Sequence, residues 1–347
     1  MDKRKRIKGR GTQSLTNNRF ESLERFRLDG EDQDASLEVP TTCTPVYPKT
    51  LINKVDSPDV PYEWSINPYQ GCEHGCIYCY ARNSHEFWGY NPGIDFETRI
   101  LVKEDAPRLL RKELAKKSWK VSPIMLSGNT DPYQPAEKKY RLTRQLLEIF
   151  MEKRHPVGLI TKNYMITRDL DLIGQLAKDN LTSVALSINY SDDEVRRKVE
   201  PRASSVQSRF KALKKLAESG VRVTVLVSPV IPGINDDQIK DVIEKSAELG
   251  AADIRMLVVR LNGAIGMLFE EWLHSHYPER AEKVLNRIRS LHGGTLNDSR
   301  WGKRMKGEGK WSDILHQQFK LHKRRFFPDI QPFEWNLEAF NPQLKLF

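Results

Sequence analysis

The sequence predicts an α/β protein whose parallel sheet curves into a partial (β/α)6 open barrel, with an N-terminal arm and a C-terminal helical extension. Two observations lead to this fold class. Between residues 64 and 261, short runs rich in Ile, Val and Leu alternate with amphipathic stretches, as buried parallel strands and their covering helices do. About six such units are present, which is too few for a closed eight-stranded barrel.

The individual elements follow from local composition. The predicted strands cover residues 63–68, 123–127, 157–161, 183–189, 221–228 and 254–260. The predicted helices between them cover residues 141–153, 168–178, 206–219 and 236–249, and three more follow at 268–276, 280–292 and 311–323. Leu142, Leu146 and Ile149 share one helical face, as a helix that covers a sheet requires.

The two ends of the chain differ from its middle. Residues 1–40 are polar and basic, which predicts a mobile arm with one short helix near residues 20–26. Residues 41–262 form the predicted core, which begins with an extended, proline-bearing strap. Residues 263–325 are predicted to form the helical extension, and residues 326–347 an irregular tail.

The charge of the chain favours a polyanionic partner. The net charge is +10 over 347 residues, which suits DNA or RNA. Basic residues concentrate in residues 1–10 and 300–325, and the loop 301–307 is the expected contact. Solvated charges without a partner are the alternative, since most charge runs are of that kind.

Cysteine content and hydropathy predict the compartment. Four cysteines in a chain without an apolar leader indicate a reducing, cytoplasmic location. No apolar run approaches the ~20 residues that span a bilayer, so we expect no membrane association.

Three cysteines lie close together with the spacing C-x3-C-x2-C, namely Cys72, Cys76 and Cys79. Thiolates are the usual ligands of iron–sulfur clusters. Three thiolates would leave one iron of a [4Fe–4S] cube open to a small molecule. A structural zinc site is the alternative, and its fourth ligand would come from Cys43, His74 or His85.

Polar residues follow the predicted strands, at the edge where parallel sheets bind ligands. These candidates are Gly128, Asn129, Thr130, Lys162, Ser187, Asn189 and Arg202. Lys162 and Arg202 are suited to pair with a carboxylate. Ser187 and Asn189 alternate along one strand and therefore point to the same side. For residues 128–135, a turn that only precedes a helix is the alternative.

Several segments together resemble one branch of the radical S-adenosylmethionine (SAM) superfamily, the spore photoproduct lyase-like or DNA-repair-photolyase-like proteins. The longest is Asn-Pro-Tyr-Gln-Gly-Cys-Glu-His-Gly-Cys-Ile-Tyr-Cys-Tyr-Ala-Arg at residues 67–82. Thr-Asp-Pro-Tyr-Gln-Pro at 130–135, Thr-Lys at 161–162 and Ser-Ile-Asn at 187–189 follow in order. The resemblance covers about residues 64–261.

The resemblance implies a SAM-cleaving enzyme. Its [4Fe–4S] cluster, ligated by the three cysteines, would chelate SAM, take an electron from an external donor and generate a 5′-deoxyadenosyl radical. Thr130, Lys162, Ser187 and Asn189 match positions that contact SAM in the lyase branch. Tyr78 matches the aromatic position near the adenine, and Gly128 and Asn129 lie where the SAM amino group is received.

One departure from the lyase pattern concerns hydrogen transfer. The lyases carry a hydrogen-donating cysteine at the position of Gly128, so thymine-dimer reversal by the same route is not expected here. Tyr80 and Tyr133 are the candidate relays. Cys43 is the remaining thiol, and a small core residue is the alternative for it.

The chain ends Gln343-Leu344-Lys345-Leu346-Phe347, which resembles the pentapeptide by which bacterial replication and repair proteins bind the DNA sliding clamp. Gln343, Leu344, Leu346 and Phe347 would make the contacts, and a strap packed on the domain is the alternative. For the protein as a whole, we expect a radical SAM enzyme that acts on nucleic acid. The alternatives are a non-catalytic, metal-containing DNA-binding or clamp-associated factor, or a radical enzyme that acts on a protein or small molecule.

Overall fold

The computed structural model describes residues 7, 9–14, 16, 18–20, 39–341 and 343. The helix predicted near residues 20–26 falls outside this part after Phe20, as do residues 344–347. Within the described part, every helix is too short or too polar to cross a lipid bilayer.

The described residues form strands that belong to two sheets. The strands are β1 (Thr42–Pro45), β2 (Asn53–Lys54), β3 (Trp64–Ile66), β4 (Tyr69–Gln70), β5 (Arg99–Val102), β6 (Ile124–Leu126), β7 (Val157–Thr161), β8 (Thr182–Ser187), β9 (Val223–Val230) and β10 (Asp253–Val258). The larger sheet has seven strands in the order β10-β9-β8-β7-β6-β3-β2.

The larger sheet confirms the predicted fold class. Strands β3, β6, β7, β8, β9 and β10 pair in parallel, and β2 is antiparallel to β3 at one edge. Strands β10 and β2 stand at opposite edges of the sheet, so the barrel is open. All six predicted strands are present, and β7 matches its predicted bounds to the residue.

A second, three-stranded sheet was not predicted. Its order is β1-β5-β4, with β1 parallel and β4 antiparallel to β5. Each of its strands has four residues or fewer, which is too short for an alternating pattern to be recognised. Strand β1 comes from the predicted extended strap, which is thereby tied to the segment that leads into the cysteine loop.

Helices cover the sheet between its strands. They are α1 (Ile94–Thr98), α2 (Ala106–Leu114), α3 (Glu137–Tyr140), α4 (Leu142–Lys153), α5 (Leu170–Lys178), α6 (Asp193–Val199), α7 (Val206–Glu218), α8 (Ile239–Glu248), α9 (Ile265–His276), α10 (Ala281–Leu291) and α11 (Lys310–Phe326). Helices α5 and α8 begin later than predicted because a short 3-10 turn precedes each of them.

The C-terminal extension shares a hydrophobic core with the cysteine loop. Trp272 of α9 and Leu285 of α10 belong to the same buried cluster as Ile77, which lies between two of the cysteines. Helix α11 packs on α8 and β10. Lys323 of α11 also donates a hydrogen bond to Asp253 at 2.7 Å. The extension is therefore joined to the barrel, although the predicted division into domains stays a prediction.

The C-terminal tail crosses the sheet at the N-terminal ends of its parallel strands, whereas the cysteine loop lies at their C-terminal ends. The backbone N–H of Asn336 donates to the carbonyl of Asn180 at 3.2 Å, and that of Asn341 to the carbonyl of Lys153 at 2.9 Å. The ring of Phe340 meets the ring of His155 edge-on at 4.9 Å. The described residues from 327 to 341 form no helix or strand, and they are fastened to the core up to Asn341.

We expect acid to destabilise the protein through His155, whose side chain is fully buried. Burial lowers the pKa of His155 to about 4, from an ordinary value of about 6.5. Between these values the unfolded chain binds a proton that the folded chain excludes. Stability therefore falls as the pH drops through this window, by about 2 kcal/mol at pH 5 relative to pH 7.

The variant His155→Gln tests this pH dependence. Glutamine keeps an acceptor for the Trp119 indole N–H, which donates to His155 Nε2 at 3.1 Å, and it does not titrate. Urea unfolding at pH 7 and pH 5 should show a smaller loss of stability in the variant than in the wild type. Equal losses in the two proteins would contradict the assignment to His155.

Candidate active site

The cysteine loop follows β4 and ends at a 3-10 helix, Tyr80–Trp88. Gly75 has a φ of +67° within the loop, a conformation that favours glycine. Cys72 and Cys76 are buried and Cys79 is half-buried. Burial raises the pKa of the Cys76 thiol to about 12, so its thiolate requires positive charge beside it. Iron ions supply that charge, and the three thiols therefore fit an iron–sulfur cluster.

The geometry does not favour the zinc alternative. In the described part of the chain, a single set of three His, Cys, Asp or Glu residues has its potential ligand atoms within 4.8 Å of one another. That set is Glu270, His274 and Glu282, and it contains no cysteine. The three cysteine sulfurs are thus spread more widely than ligands of a single ion. His74, a proposed fourth ligand, lies 3.4 Å from Asp131 and 3.0 Å from Asn163 through its two ring nitrogens.

Lys162 follows β7 and reaches the cysteine loop. Its Nζ lies 3.4 Å from the Cys76 sulfur, donates to the Tyr78 hydroxyl at 2.8 Å and lies 3.3 Å from the Glu200 carboxylate. Burial opposes the lysine charge, but the charges of Cys76 and Glu200 outweigh it and raise the pKa of Lys162. A fixed cation beside the cysteines suits the carboxylate-binding role predicted from the sequence.

Glu200 and Arg209 complete this network, and the sequence analysis missed both. Their side chains are 0% and 1% exposed and form an ion pair. Burial would raise the pKa of Glu200, but the charges of Arg209 and Lys162 lower it. One signal was available in the sequence, because Arg209 shares the apolar face of α7 with Val206 and Leu213. An arginine on such a face requires a buried acid.

Ser187 ends β8 and Asn189 follows it, and both are buried. Arg209 donates to the Ser187 carbonyl at 3.2 Å and to the Asn189 side-chain oxygen at 3.5 Å. The Nδ2 of Asn189 is buried without a hydrogen-bond partner in the described residues. An unpaired buried donor costs about 1–3 kcal/mol, so a bound molecule that accepts this hydrogen bond fits the site.

The loop after β6 is held in place by Asn67. The Asn67 side-chain oxygen accepts hydrogen bonds from the backbone N–H of Asn129 at 2.9 Å and of Thr130 at 3.1 Å. Asn129 donates to Ser84 at 2.7 Å, and the Thr130 hydroxyl donates to the carbonyl of Tyr69 at 2.7 Å. Both side chains are thus used within the fold, as in the turn that was the alternative to a binding loop.

Gly128 and Tyr80 meet at the C-terminal ends of the parallel strands, which form the mouth of the open barrel. The Tyr80 hydroxyl donates to the Gly128 carbonyl, and Tyr80, which directly follows Cys79, is 48% exposed. Gly128 has a φ of +148°, which side-chain-bearing residues rarely adopt, so a cysteine there would be strained. Tyr133, the other candidate relay, is fully buried in the main core and has no exposed atoms for a substrate.

Arg202 lies at the outer edge of the cysteine loop. Its backbone N–H donates to the carbonyl of His74 at 3.2 Å, and its guanidinium lies 3.4 Å from the Glu73 carboxylate. Of the two cations predicted to bind a carboxylate, Lys162 is the one in contact with a cysteine sulfur.

A buried ion pair braces the cysteine loop from behind. Arg82 donates to the Cys76 carbonyl at 2.9 and 3.0 Å and to the Glu97 carboxylate at 2.6 Å. Glu97 also accepts from the backbone N–H groups of Gly11 and Thr12, at 2.9 and 3.0 Å. This part of the predicted mobile arm is therefore packed against the core, because its backbone N–H groups donate hydrogen bonds to the buried Glu97 carboxylate.

The fold has close counterparts among solved structures. Spore photoproduct lyase with bound AdoMet and dinucleoside spore photoproduct gives a TM-score of 0.62 at 18% identity, over 87% of this chain and 86% of the lyase. A second lyase structure, complexed with dinucleoside spore photoproduct, gives 0.60 at 18% identity, over 82% of this chain and 80% of the lyase. At this identity the similarity shows a shared fold.

Sequence relatives occur in bacteria, archaea and viruses. An uncharacterized protein of Mycobacterium tuberculosis is 33% identical over 247 residues, which cover 70% of this chain and 72% of that protein. An uncharacterized protein of Methanocaldococcus jannaschii is 30% identical over 239 residues, covering 69% and 85%. A radical SAM Nα-GlyT isomerase of Pseudomonas phage M6 is 27% identical over 218 residues, covering 62% and 43%.

The profile of the Radical SAM superfamily matches residues 66–245, just over half of the 347 residues. The matched segment runs from β3 into α8 and contains the cysteine loop, Lys162 and Glu200. Enzymes of this superfamily use a [4Fe–4S] cluster and SAM. The chain is an enzyme of this type and belongs to the radical SAM superfamily.

Proposed function

We propose that the protein holds a [4Fe–4S] cluster on Cys72, Cys76 and Cys79 and uses it to cleave SAM and to repair or modify a nucleic acid. The observation that carries the proposal is the three-cysteine loop at the C-terminal ends of the parallel strands, with the Lys162 ammonium 3.4 Å from the Cys76 sulfur. When bound, the cluster and SAM supply a 5′-deoxyadenosyl radical, with the electron coming from an external donor.

The protein side chains would bind and orient SAM. Lys162 would pair with its carboxylate, while Glu200 and Arg209 keep the ammonium in place. Asn189 offers its unpaired Nδ2 as a donor. The Lys162 Nζ lies 5.1 Å from the centre of the Tyr78 ring. The buried positions of these groups would exclude water from the radical.

Two findings support a nucleic-acid substrate. The net charge is +10. Solved structures of the same fold belong to a lyase that binds a dinucleoside photoproduct. We therefore favour DNA or RNA over a protein or small molecule. The conformation at Gly128 favours a hydrogen route without a thiol at that position.

Anaerobic incubation with SAM, a chemical reductant and deuterated DNA or RNA tests this function. We expect 5′-deoxyadenosine to form and to contain deuterium from one of the nucleic acids, as measured by mass spectrometry. Turnover of SAM without deuterium from either polymer would instead favour a protein or small-molecule substrate. A reconstituted protein that binds a metal but never cleaves SAM would support the non-catalytic DNA-binding alternative.

We further propose that the chain comprises a basic arm (1–40), a core (41–262), a helical extension (263–325) and a tail (326–347). The tail would carry a clamp-binding peptide at Gln343, Leu344, Leu346 and Phe347. The free thiols and the proposed cluster suit the reducing environment of the cytoplasm.

Deleting residues 343–347 should abolish binding to a bacterial sliding clamp without changing the melting temperature. The tail is fastened to the core through Asn341, so the deletion removes no described contact of the core. Isothermal titration of clamp into both proteins, with thermal unfolding as the control, gives the measurement. Equal clamp affinity in both proteins would exclude this role of the peptide.

A further inference from the structure

Arg260 stands at the mouth of the sheet, two residues after the end of β10. Hydrogen bonds fix the two residues that follow it. Asn83 donates to the carbonyl of Asn262 at 2.8 Å, and the N–H of Leu261 donates to the carbonyl of Leu296 at 3.0 Å. The Arg260 guanidinium lies 5.8 Å from the centre of the Tyr80 ring, and Tyr80 directly follows Cys79. A fixed loop thus places this cation beside the candidate active site.

The guanidinium of Arg260 has no acceptor in the part of the chain that the structure describes. Its side chain is half-buried. Burial and then the charge of Arg304 lower its pKa, and the charges of Tyr80 and Asp59 oppose this shift. A partly desolvated guanidinium without a paired acceptor is unfavourable, so a bound anion would supply the acceptor that the described residues do not.

Three basic groups in and beside the predicted nucleic-acid loop already have acidic partners. Arg304 pairs with Asp59 at 2.5 Å. Lys303 of the predicted nucleic-acid loop and Arg300, which directly precedes that loop, both pair with Glu308, at 2.8 and 2.5 Å. Two of the three basic residues of this loop, Lys303 and Arg304, are thus paired within the protein, whereas Arg260 has no ion pair among the described residues.

We propose that Arg260 binds a backbone phosphate of a nucleic-acid strand and so positions one nucleotide at the exposed Tyr80 ring. A guanidinium forms two parallel hydrogen bonds to a phosphate. The exposed aromatic ring next to it is suited to stack on a base. This inference rests on the proposed function and adds the group that recognises the strand.

Anaerobic binding of short fluorescent single-stranded DNA oligonucleotides to the cluster-loaded enzyme tests the inference. Arg260→Gln should weaken binding about tenfold, since one charge-assisted contact is lost. It should also reduce the salt slope of log K by about 0.7. Arg255→Gln is the matched control, because Arg255 lies on β10, the strand that leads to Arg260, is 63% exposed and pairs with Asp253. That variant should bind within about twofold of the wild type.

Oligonucleotides with a single neutral methylphosphonate identify the contact. One position should weaken wild-type binding about tenfold and leave Arg260→Gln unaffected, because the two changes remove the same interaction. Arg260→Lys, which keeps the charge without the planar fork, should bind with intermediate affinity. It also serves as the test variant if the melting temperature shows that Arg260→Gln is unfolded.

Two failures can be distinguished. Equal affinity and salt slope for the wild type and the Arg260 variants, with identical methylphosphonate profiles, would overturn this inference and leave the proposed function intact. A wild-type enzyme that binds neither single-stranded nor double-stranded nucleic acid, and takes no deuterium from it, would overturn both.

Discussion

Replacing Cys76 with alanine is expected to eliminate cluster assembly and, with it, the cleavage of SAM. The wild type should bind about four irons per chain after anaerobic reconstitution, as a [4Fe–4S] cube contains. Changes to groups that merely support a metal ligand reduce metal affinity about 10–100-fold, so loss of a ligand should exceed about 100-fold. Iron and sulfide analysis, with mass spectrometry of 5′-deoxyadenosine, gives the measurement.

Cys43→Ala provides the matched control for this substitution. Cys43 lies in β1 beside Ile100 of β5 and packs against a small cluster that includes Tyr69 and Val102. Its thiol is thus placed as a partly buried core group, so the variant should keep its iron and its SAM cleavage. Full iron content and turnover in Cys76→Ala would refute the assignment of the cluster ligands. Loss of turnover alone in Cys43→Ala would instead point to this thiol as a hydrogen donor.

Replacing Arg82 with methionine is expected to lower the free energy of unfolding by about 3–5 kcal/mol, because it leaves the Glu97 carboxylate buried without its cation. Both side chains are 0% exposed. The substitution also removes two hydrogen bonds to the Cys76 carbonyl, so the cysteine loop should loosen as well. Denaturant unfolding of the apoprotein measures the stability, and hydrogen exchange across residues 72–79 measures the loop.

Arg99→Gln is the corresponding control on the surface. Arg99 pairs with Asp95 at 3.3 Å, but its side chain is 53% exposed. Such pairs contribute about 0–1 kcal/mol, so this variant should unfold almost as the wild type does. If Arg82→Met were as stable as Arg99→Gln, the buried pair would not be what braces the cysteine loop.

The predicted fold was accurate where the chain repeats a simple pattern. The six parallel strands were predicted because buried parallel strands form continuous apolar runs, and of the helices between them α4, α5, α7 and α8 were predicted. The small sheet of β1, β5 and β4 was missed, since it is assembled from short strands distant in sequence. The packed position of Gly11 and Thr12 was missed for a related reason. Their backbone N–H groups donate to Glu97, which is distant in sequence, and the polar, basic composition of the arm gives no sign of this contact.

The predicted site also contains features that the sequence indicated and features that it did not. The cysteines and Lys162 come together as the sequence led us to expect. The roles of Ser187, Asn189, Thr130 and the other predicted contacts remain proposals. For the basic loop at residues 301–307, the sequence indicated the positive charge. It did not indicate which acids pair with Lys303 and Arg304. Those acids include Asp59, which is 245 residues away from Arg304.

The sequence by itself determined the chemistry of this protein, namely a C-x3-C-x2-C loop at the first strand end of a parallel sheet and a lysine at a later one. Both are local signals, because ligand spacing and strand periodicity are set by neighbouring residues. Only the tertiary structure decided which charges are compensated. Tyr78 and Glu200, for example, meet across 122 residues of chain. Whether a charge is buried, paired or left for a ligand depends on such distant partners, and so the roles of Glu200 and Arg260 became visible only in the fold.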